Sequence, residues 1–484
     1  MIGLLGIVIA LALLMYLAFR GISVIILAPA TALLAVLIDG HLPLLASYTQ
    51  IFMQNTGNFI VLFFPLFMLG AIFGKLMDDT GSAQSIGLWI VGKLGSQYSI
   101  LAVVLSCAIL TYGGVSLFVV AFAVFPIAAS LFREAAIPKR LIPATIALGA
   151  FTFTMTALPG TPAIQNAIPM PHFGSTPFAA PGLGILTALV MLVLGYLWLT
   201  RQAARAHAAR EGYGAHADAL PSPDRQMREH AEGEGFDIME LQAREPETAK
   251  LPPFPLAIAP VVLVILVNLL AITVLIPSLD TRYLSEPLFG ATTIEAVRGV
   301  WAIIIALTVS IVFVAAANRR RLSSLQQSLD SGANASVLPI FNTASLVGFG
   351  AVIAALPAFE LVSELVLGIG GDNPLISLAV AVNVLAGLTG SASGGMSIAL
   401  DTLGANFIAM ANEAGISMDL MHRVTSVATG GLDSLPHNGA VITLLAITGL
   451  GHREAYKDIF VVAVLIPIIA LIVLIVLGTL FGSF

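Results

Sequence analysis

Charge is what this sequence has least of. Asp, Glu, Lys and Arg make up 10% of its 484 residues, where soluble domains carry roughly 25%. So few charges cannot cover the surface of a water-soluble fold of this length, so that class is excluded and no nucleic-acid partner is expected. Cysteine is nearly missing as well. The single thiol, Cys107, lies inside an apolar run, which rules out a disulfide within the chain and the usual Cys-based metal sites and leaves it as a small core residue. The N-terminus lacks a basic leader and an A-x-A-like site after a short apolar stretch, so Ile2–Phe19 reads as a retained first span rather than a cleaved signal.

What is present instead is apolar, at 58% of the chain. Long runs cover Ile2–Phe19, Ile22–Ile38, Leu183–Thr200, Phe254–Leu275, Val300–Ala317 and Ile459–Phe481. Each approaches the roughly 20 residues needed to cross a hydrocarbon core of about 30 Å. The strongest break in composition is Arg201–Lys250, rich in Ala, Glu, Arg and His and without apolar periodicity. It reads as a solvated loop, helical over Arg201–Arg210 and otherwise flexible. The chain therefore divides into a first repeat (1–200), a hydrophilic loop (201–252) and a second repeat (253–484).

The two apolar parts match in landmark order. Leu69-Gly70-Ala71-Ile72 corresponds to Phe349-Gly350-Ala351-Val352, an offset of 280, and Glu134-Ala135-Ala136-Ile137 to Glu413-Ala414-Gly415-Ile416, an offset of 279. Ala157-Leu158-Pro159-Gly160 pairs with Ser434-Leu435-Pro436-His437 at an offset of 277. Tyr112-Gly113-Gly114-Val115-Ser116 likewise faces Gly390-Ser391-Ala392-Ser393-Gly394-Gly395. Lys and Arg set the orientation. Basic residues fall at Arg20, at Arg133, Lys139 and Arg140, in the central loop, at Arg319–Arg321, and at Arg453 and Lys457. His41–Gly57, Pro169–Gly182 and Asp401–His422 are read as outer segments free of Lys and Arg, with Arg282 an exception in an outer loop. With the basic segments inside, the central loop is cytoplasmic, both termini are extracytoplasmic, and the repeats are inverted, as in many secondary transporters.

Irregular backbone at membrane depth is tolerated only where it lines a cavity or is buried in protein. Gly and Pro interrupt four apolar segments in symmetry-related pairs. One pair is Thr111–Ser116 with Thr389–Gly395, the other Thr156–Pro162 with Asp433–Gly439. Each break is expected to expose N–H groups at the start of a following half-helix, where the dipole favours an anion such as a carboxylate. The candidate substrate-binding residues are Gly113, Gly114, Ser116, Thr161, Gln165, Asn166, Ser391, Ser393, Gly394, Ser434 and Asn438. Small residues also let helices pack closely, the alternative reading for the glycines. Ionisable residues in apolar spans are rare and costly. Asp433 and His437 flank the last break and are the candidates for binding and releasing a proton, with a cap and a core hydrogen bond as their alternatives. Glu360 and Glu364 are expected at an interface, and Asp401 at a helix end.

Thr111–Ser116, Thr389–Gly395 and Asp433–Val441, with Gly451–Asp458 after them, resemble the gluconate–proton symporter family, the GntP permeases, within the ion transporter superfamily. The resemblance covers the chain apart from its central loop. It implies proton-coupled symport of a small organic monocarboxylate, a gluconate-like sugar acid or a short hydroxy acid such as 3-hydroxybutyrate. Thr156–Pro171 looks closer to the hydroxybutyrate-type branch. It further implies a bacterial inner-membrane homodimer working as an elevator. In that picture Ser99–Met170 and Leu375–Thr448 move with their preceding hairpins, and the plain spans form the scaffold. The expected fold class is thus an all-α polytopic membrane protein with two inverted-topology repeats, broken helices, re-entrant hairpins, a scaffold and a transport domain. No enzyme activity, cofactor or metal is expected beyond the coupling ion. Sodium-coupled dicarboxylate transport is the competing reading, with carbonyls at Gly113–Gly114 and Gly394–Gly395 as ligands. An intramembrane enzyme and a passive channel are more remote, since Gly114-Val115-Ser116-Leu117 lacks the second Gly of a nucleophile motif and no continuous polar stripe is found.

Overall fold

The computed structural model describes residues 2–20, 22–214, 251–371 and 373–484. Among them every regular element is helical. The first part contains α1 (Ile2–Phe19), α2 (Val24–Asp39), α3 (Met53–Asp79), α4 (Ser82–Leu94), α5 (Ser99–Tyr112), α6 (Leu117–Glu134), α7 (Ile142–Ala150) and α8 (Pro181–Ala208). The second contains α9 (Phe254–Leu270), α10 (Ile294–Ala317), α11 (Leu325–Ala335), α12 (Val337–Ala354), α13 (Phe359–Gly368), α14 (Pro374–Thr389), α15 (Ala392–Glu413), α16 (Met418–Leu432), α17 (Gly439–Thr448), α18 (His452–Phe460) and α19 (Ile466–Phe481).

Seven helices among the described residues are long and apolar enough to cross a membrane, and α4 with α5 forms an eighth, bent by 108°. Their outer faces explain the composition: Leu189, Leu197, Leu266, Val312 and Ile472 are all at least half exposed or close to it, as lipid-facing residues should be. α1 keeps its expected bounds with 18 residues and α2 has 16, near the short end of the roughly 17–25 of a spanning helix, and they pack on each other, with α2 also against α12. The Pro- and Gly-containing stretch Asn58–Met77 runs unbroken through Pro65 inside α3. Joined to the π-helical turn Ser47–Phe52, it forms one helical stretch of 36 residues, Leu44–Asp79.

Asp401 is not at a helix end. It lies midway along α15, and α16 begins at Met418, so the segment Asp401–His422 is mostly helix with a short turn after Glu413. Apolar patterning alone does not separate a polar helix that other helices bury from a loop. Glu360 and Glu364 sit exposed on α13.

The start of the hydrophilic segment is helical and docked. α8 continues to Ala208, after which Glu211 accepts from Arg140 Nε and Nη2 at 2.7 and 3.0 Å. The Tyr213 carbonyl accepts from the Lys139 amide at 3.1 Å, and Arg133 stands 4.9 Å from the Tyr213 ring centre. Arg140 Nη1 also donates to Asp458 Oδ2 at 3.0 Å, and Trp198 Nε1 donates to Asp458 Oδ1 at 3.0 Å. The flexible part expected after Arg210 falls largely on residues 215–250, outside the described ones. Hydrogen bonding to Arg140 holds the Glu211 carboxyl below its ordinary range. A depressed folded value means a stabilisation that is complete above the unfolded Glu value of about 4.3 and lost as pH falls through the folded one. Glu211→Gln should therefore lower the melting temperature by about a degree or two near pH 7, a surface-pair effect, and the gap should close in acid below the Glu range. A gap that does not change with pH in a thermal-melt series would refute the ion pair as its source.

Candidate functional site

The four breaks fall at the positions spaced by the offset. α5 ends at Tyr112 and α6 starts at Leu117, while α14 ends at Thr389 and α15 starts at Ala392. Gly114 has φ of +92°, and a Cβ there would strike Pro162 of the companion break, so only glycine suits the position. Tyr112 adds a second tie, its hydroxyl donating to the Pro159 carbonyl at 2.7 Å. In the second part Asn438 does the equivalent work. Its Nδ2 donates to the Gly390 carbonyl at 2.8 Å while its Oδ1 accepts from the Ala440 and Val441 amides at 2.7 and 3.1 Å. Ser391 Oγ accepts from the Gly394 amide at 3.1 Å. Both second-part helix starts are thus capped by their own residues.

One cavity of about 1250 Å³ touches all four breaks. Gly114, Ser116, Gln165, Ser391, Ser393 and His437 line it. Gly113, Thr161, Asn166, Gly394, Ser434, Asn438 and Asp433 lie outside its lining. The reasons differ. A Cβ at Gly113 would meet Val261, and one at Gly394 would meet Leu346, so both serve close helix approach. Thr161 is fully buried and Ser434 nearly so. Asp433 accepts from Ser434 Oγ at 3.2 Å. Of the lining side chains only Arg20, Lys75, Asp78 and His437 are ionisable. Lys75 and Asp78 stand in the last turns of α3, and Arg20 follows the end of α1. Thr343 Oγ1, Ser393 Oγ and Ser391 Oγ form a hydroxyl chain with steps of 3.2 and 3.4 Å. His437 Nε2 lies 3.0 Å from the Gly387 carbonyl. A carbonyl only accepts, so Nε2 carries a hydrogen and Nδ1 is the site that can gain or lose a proton.

At the third break a short half-helix follows Thr161 in two pieces, Ile164–Ala167 and Pro169–Phe173, joined through Ile168 at helical angles, and the Ala163 amide at its start donates to Thr161 Oγ1 at 3.3 Å. Asn166 is spent on structure. Its Nδ2 donates to the Thr161 and Pro177 carbonyls at 2.9 and 3.0 Å, and its Oδ1 faces His422 Nε2 at 3.1 Å and Arg423 Nη1 at 3.2 Å. The fully buried Arg423 also donates to the carbonyls of Thr156, Pro177 and Ala179. Since Asn166 Oδ1 only accepts, His422 Nε2 carries a hydrogen, and its Nδ1 takes the Ser175 hydroxyl at 2.6 Å. Sequence reasoning passed over this cluster. The available signal was a His-Arg pair inside a run otherwise suited to burial, which membrane energetics marks as important.

No protein-family model matches the chain. It is 44% identical over 467 residues to the uncharacterized transporter YxjC of Bacillus subtilis strain 168, a match that covers 95% of both chains. Its fold is similar to that of MtrF of Neisseria gonorrhoeae, described as illuminating a class of antimetabolite efflux pumps. The TM-score is 0.56 at 14% identity, over 90% of this chain and 85% of that one.

Proposed function

Because this chain belongs to the same transporter family as Bacillus subtilis YxjC, we propose that it is a proton-coupled symporter of small organic monocarboxylates of the GntP type. The observation that carries this reading is the meeting of four helix breaks on one cavity lined by hydroxyls, the amides of Gln165, Asn334 and Asn342, and a single histidine. Such a lining suits one small anion with hydroxyl groups, a sugar acid or a short hydroxy acid. His437 is the coupling group that the geometry favours over Asp433. It borders the cavity, and the Gly387 carbonyl fixes its Nε2–H, so protonating Nδ1 turns an acceptor facing an anion into a donor. Proton and substrate then favour each other's binding, as symport requires. Asp433 sits behind the cavity beside Ser434 and acts through the break rather than on the substrate.

The rest of the reading follows. In this reading the repeats are inverted, the central segment is cytoplasmic, and the charged lining residues Arg20, Lys75 and Asp78 at helix ends support an inward-facing state. The protein works in the bacterial inner membrane as a dimer with an elevator-like transport domain. The test uses purified protein in liposomes with an imposed pH gradient, competing C3–C6 hydroxy acids against one another, with sodium replaced by choline in a parallel series. Accumulation that follows pH and ignores sodium is expected. Dependence on sodium at fixed pH, or export of substrate under the same gradient, would refute the coupling or its direction. His437→Gln should lose gradient-driven accumulation and keep exchange of labelled for unlabelled substrate. Asp433→Asn should do the same only if the break it supports must change protonation. Accumulation at the wild-type level in His437→Gln removes that residue from the mechanism.

A further inference from the structure

Resting on the reading above, we infer that the substrate carboxylate is held on the first-repeat side of the cavity alone, at the start of α6, with Thr111 as a binding residue. Thr111 is not among the hydroxyls that the motifs single out. The four breaks are unequal as anion sites. α15 and α17 spend their first amides on Ser391 and Asn438, and the Thr161 break leads into two short helical pieces, Ile164–Ala167 and Pro169–Phe173, with the Ala163 amide before them taken by Thr161 Oγ1. α6 alone is a long helix, 18 residues, that begins without a side-chain cap from its own first residue, Ser116. Ser116 and Leu117 line the cavity there. A helix start of this kind attracts a carboxylate through its dipole and amides.

The second, independent observation is Thr111. It lines the same cavity and is 3% exposed, yet its Oγ1 has no hydrogen-bond partner. Thr56 and Thr443 are also buried and unpaired, but neither lines the cavity, and most other buried threonines in these helices are paired. Thr145, Thr152, Thr187 and Thr425 each donate to the carbonyl one turn back at 2.7 to 2.8 Å. A buried hydroxyl left unpaired costs free energy, and a carboxylate at the α6 start gives it an acceptor. Gln165 adds to the case. It also lines the cavity with Oε1 buried and unpartnered, so its amide can turn to present Nε2–H to the same anion. The hydroxyl chain Thr343–Ser393–Ser391 across the cavity is left to the uncharged part of the substrate.

The experiment measures transport by wild-type protein and variants in liposomes, with 3-hydroxybutyrate and gluconate as probes. Thr111→Val keeps the shape and removes the hydroxyl. It should raise KM for whichever probe is carried by about ten- to a hundredfold, the worth of one hydrogen bond to a charged group, with kcat nearly unchanged. Thr111→Ser should restore KM to within about threefold. Thr145→Val, which removes a buried hydroxyl outside the cavity lining, should leave KM within the same range. A Thr111→Val KM equal to wild type, or a Thr145→Val loss as large as that of Thr111→Val, overturns the assignment while leaving monocarboxylate transport standing. Transport of neither probe, nor of any C3–C6 monocarboxylate, by the wild type would overturn the functional reading and this inference with it.

Discussion

Replacing Arg423 with Met should abolish recovery of folded protein. The guanidinium is fully buried and holds five hydrogen bonds to neutral partners: Thr156, Pro177 and Ala179 carbonyls and the Asn166 side chain. Met fills most of the volume and removes every donor, so the Ala179 carbonyl loses both bonds it accepts, while the Thr156, Pro177 and Asn166 oxygens keep only their other donors, Ser426, Gly160 with Asn166, and His422. Five lost bonds at roughly 1 kcal/mol or more each reach the lower end of the stability of a typical domain, about 5–15 kcal/mol. Arg423→Lys is the sharper variant, since it keeps the charge. A single ammonium cannot reach carbonyls arranged for a planar fork, so Lys should rescue little. Size-exclusion profiles of detergent-solubilised variants read this directly. A monodisperse Arg423→Met peak with a wild-type melting temperature would mean that the cluster contributes nothing to folding.

Gly395→Ala should be nearly as damaging, for a steric reason. α14 and α15 meet at Gly395 so closely that an added Cβ would fall inside the backbone atoms of Ala386 and Leu385. No flexible side chain can give way, because the neighbours are main chain. The helices would have to separate over the contact that seats Ser391 and Ser393, shifting the break that lines the cavity. Overpacking costs about 1–3 kcal/mol where side chains can adjust, and a backbone clash exceeds that. Expected results are a drop of several degrees in melting temperature and loss of transport in whatever protein survives. Gly404→Ala, on the same helix α15, is the control, since a Cβ there only reaches ordinary contact distance from His172, and it should behave as wild type. Equal behaviour of the two variants would refute the close-contact argument.

The sequence carries the breaks legibly because they are written in Gly and Pro, residues whose backbone effect is local. Gly114 and Gly390 take left-handed angles where the pattern places an interruption. The membrane class is equally plain in the scarcity of charge. What the sequence hides is which polar residue faces a cavity and which is consumed behind it. Asn166 and Asn438 look alike as candidate ligands, and both are spent on main-chain groups that fold around them. That outcome depends on partners about 50 to 260 residues away along the chain, which no local pattern records. Arg423 escaped for the same reason. The carbonyls that satisfy this buried cation lie 244 to 267 residues away along the chain. Pro65 lies in unbroken helix, so proline by itself does not mark a break.

The ties between breaks also bear on how binding is set. Tyr112 fastens the first break to the third, and Asn438 fastens the second to the fourth. Main chain joined in this way has lost its freedom during folding, before any ligand arrives. A ligand entering the cavity then orders only a few side chains, each at about 0.5–1.5 kcal/mol, rather than whole loops. Selection among anions rests accordingly on fit to a fixed shape, so that a poor substrate is penalised in affinity and cannot be accommodated by yielding backbone.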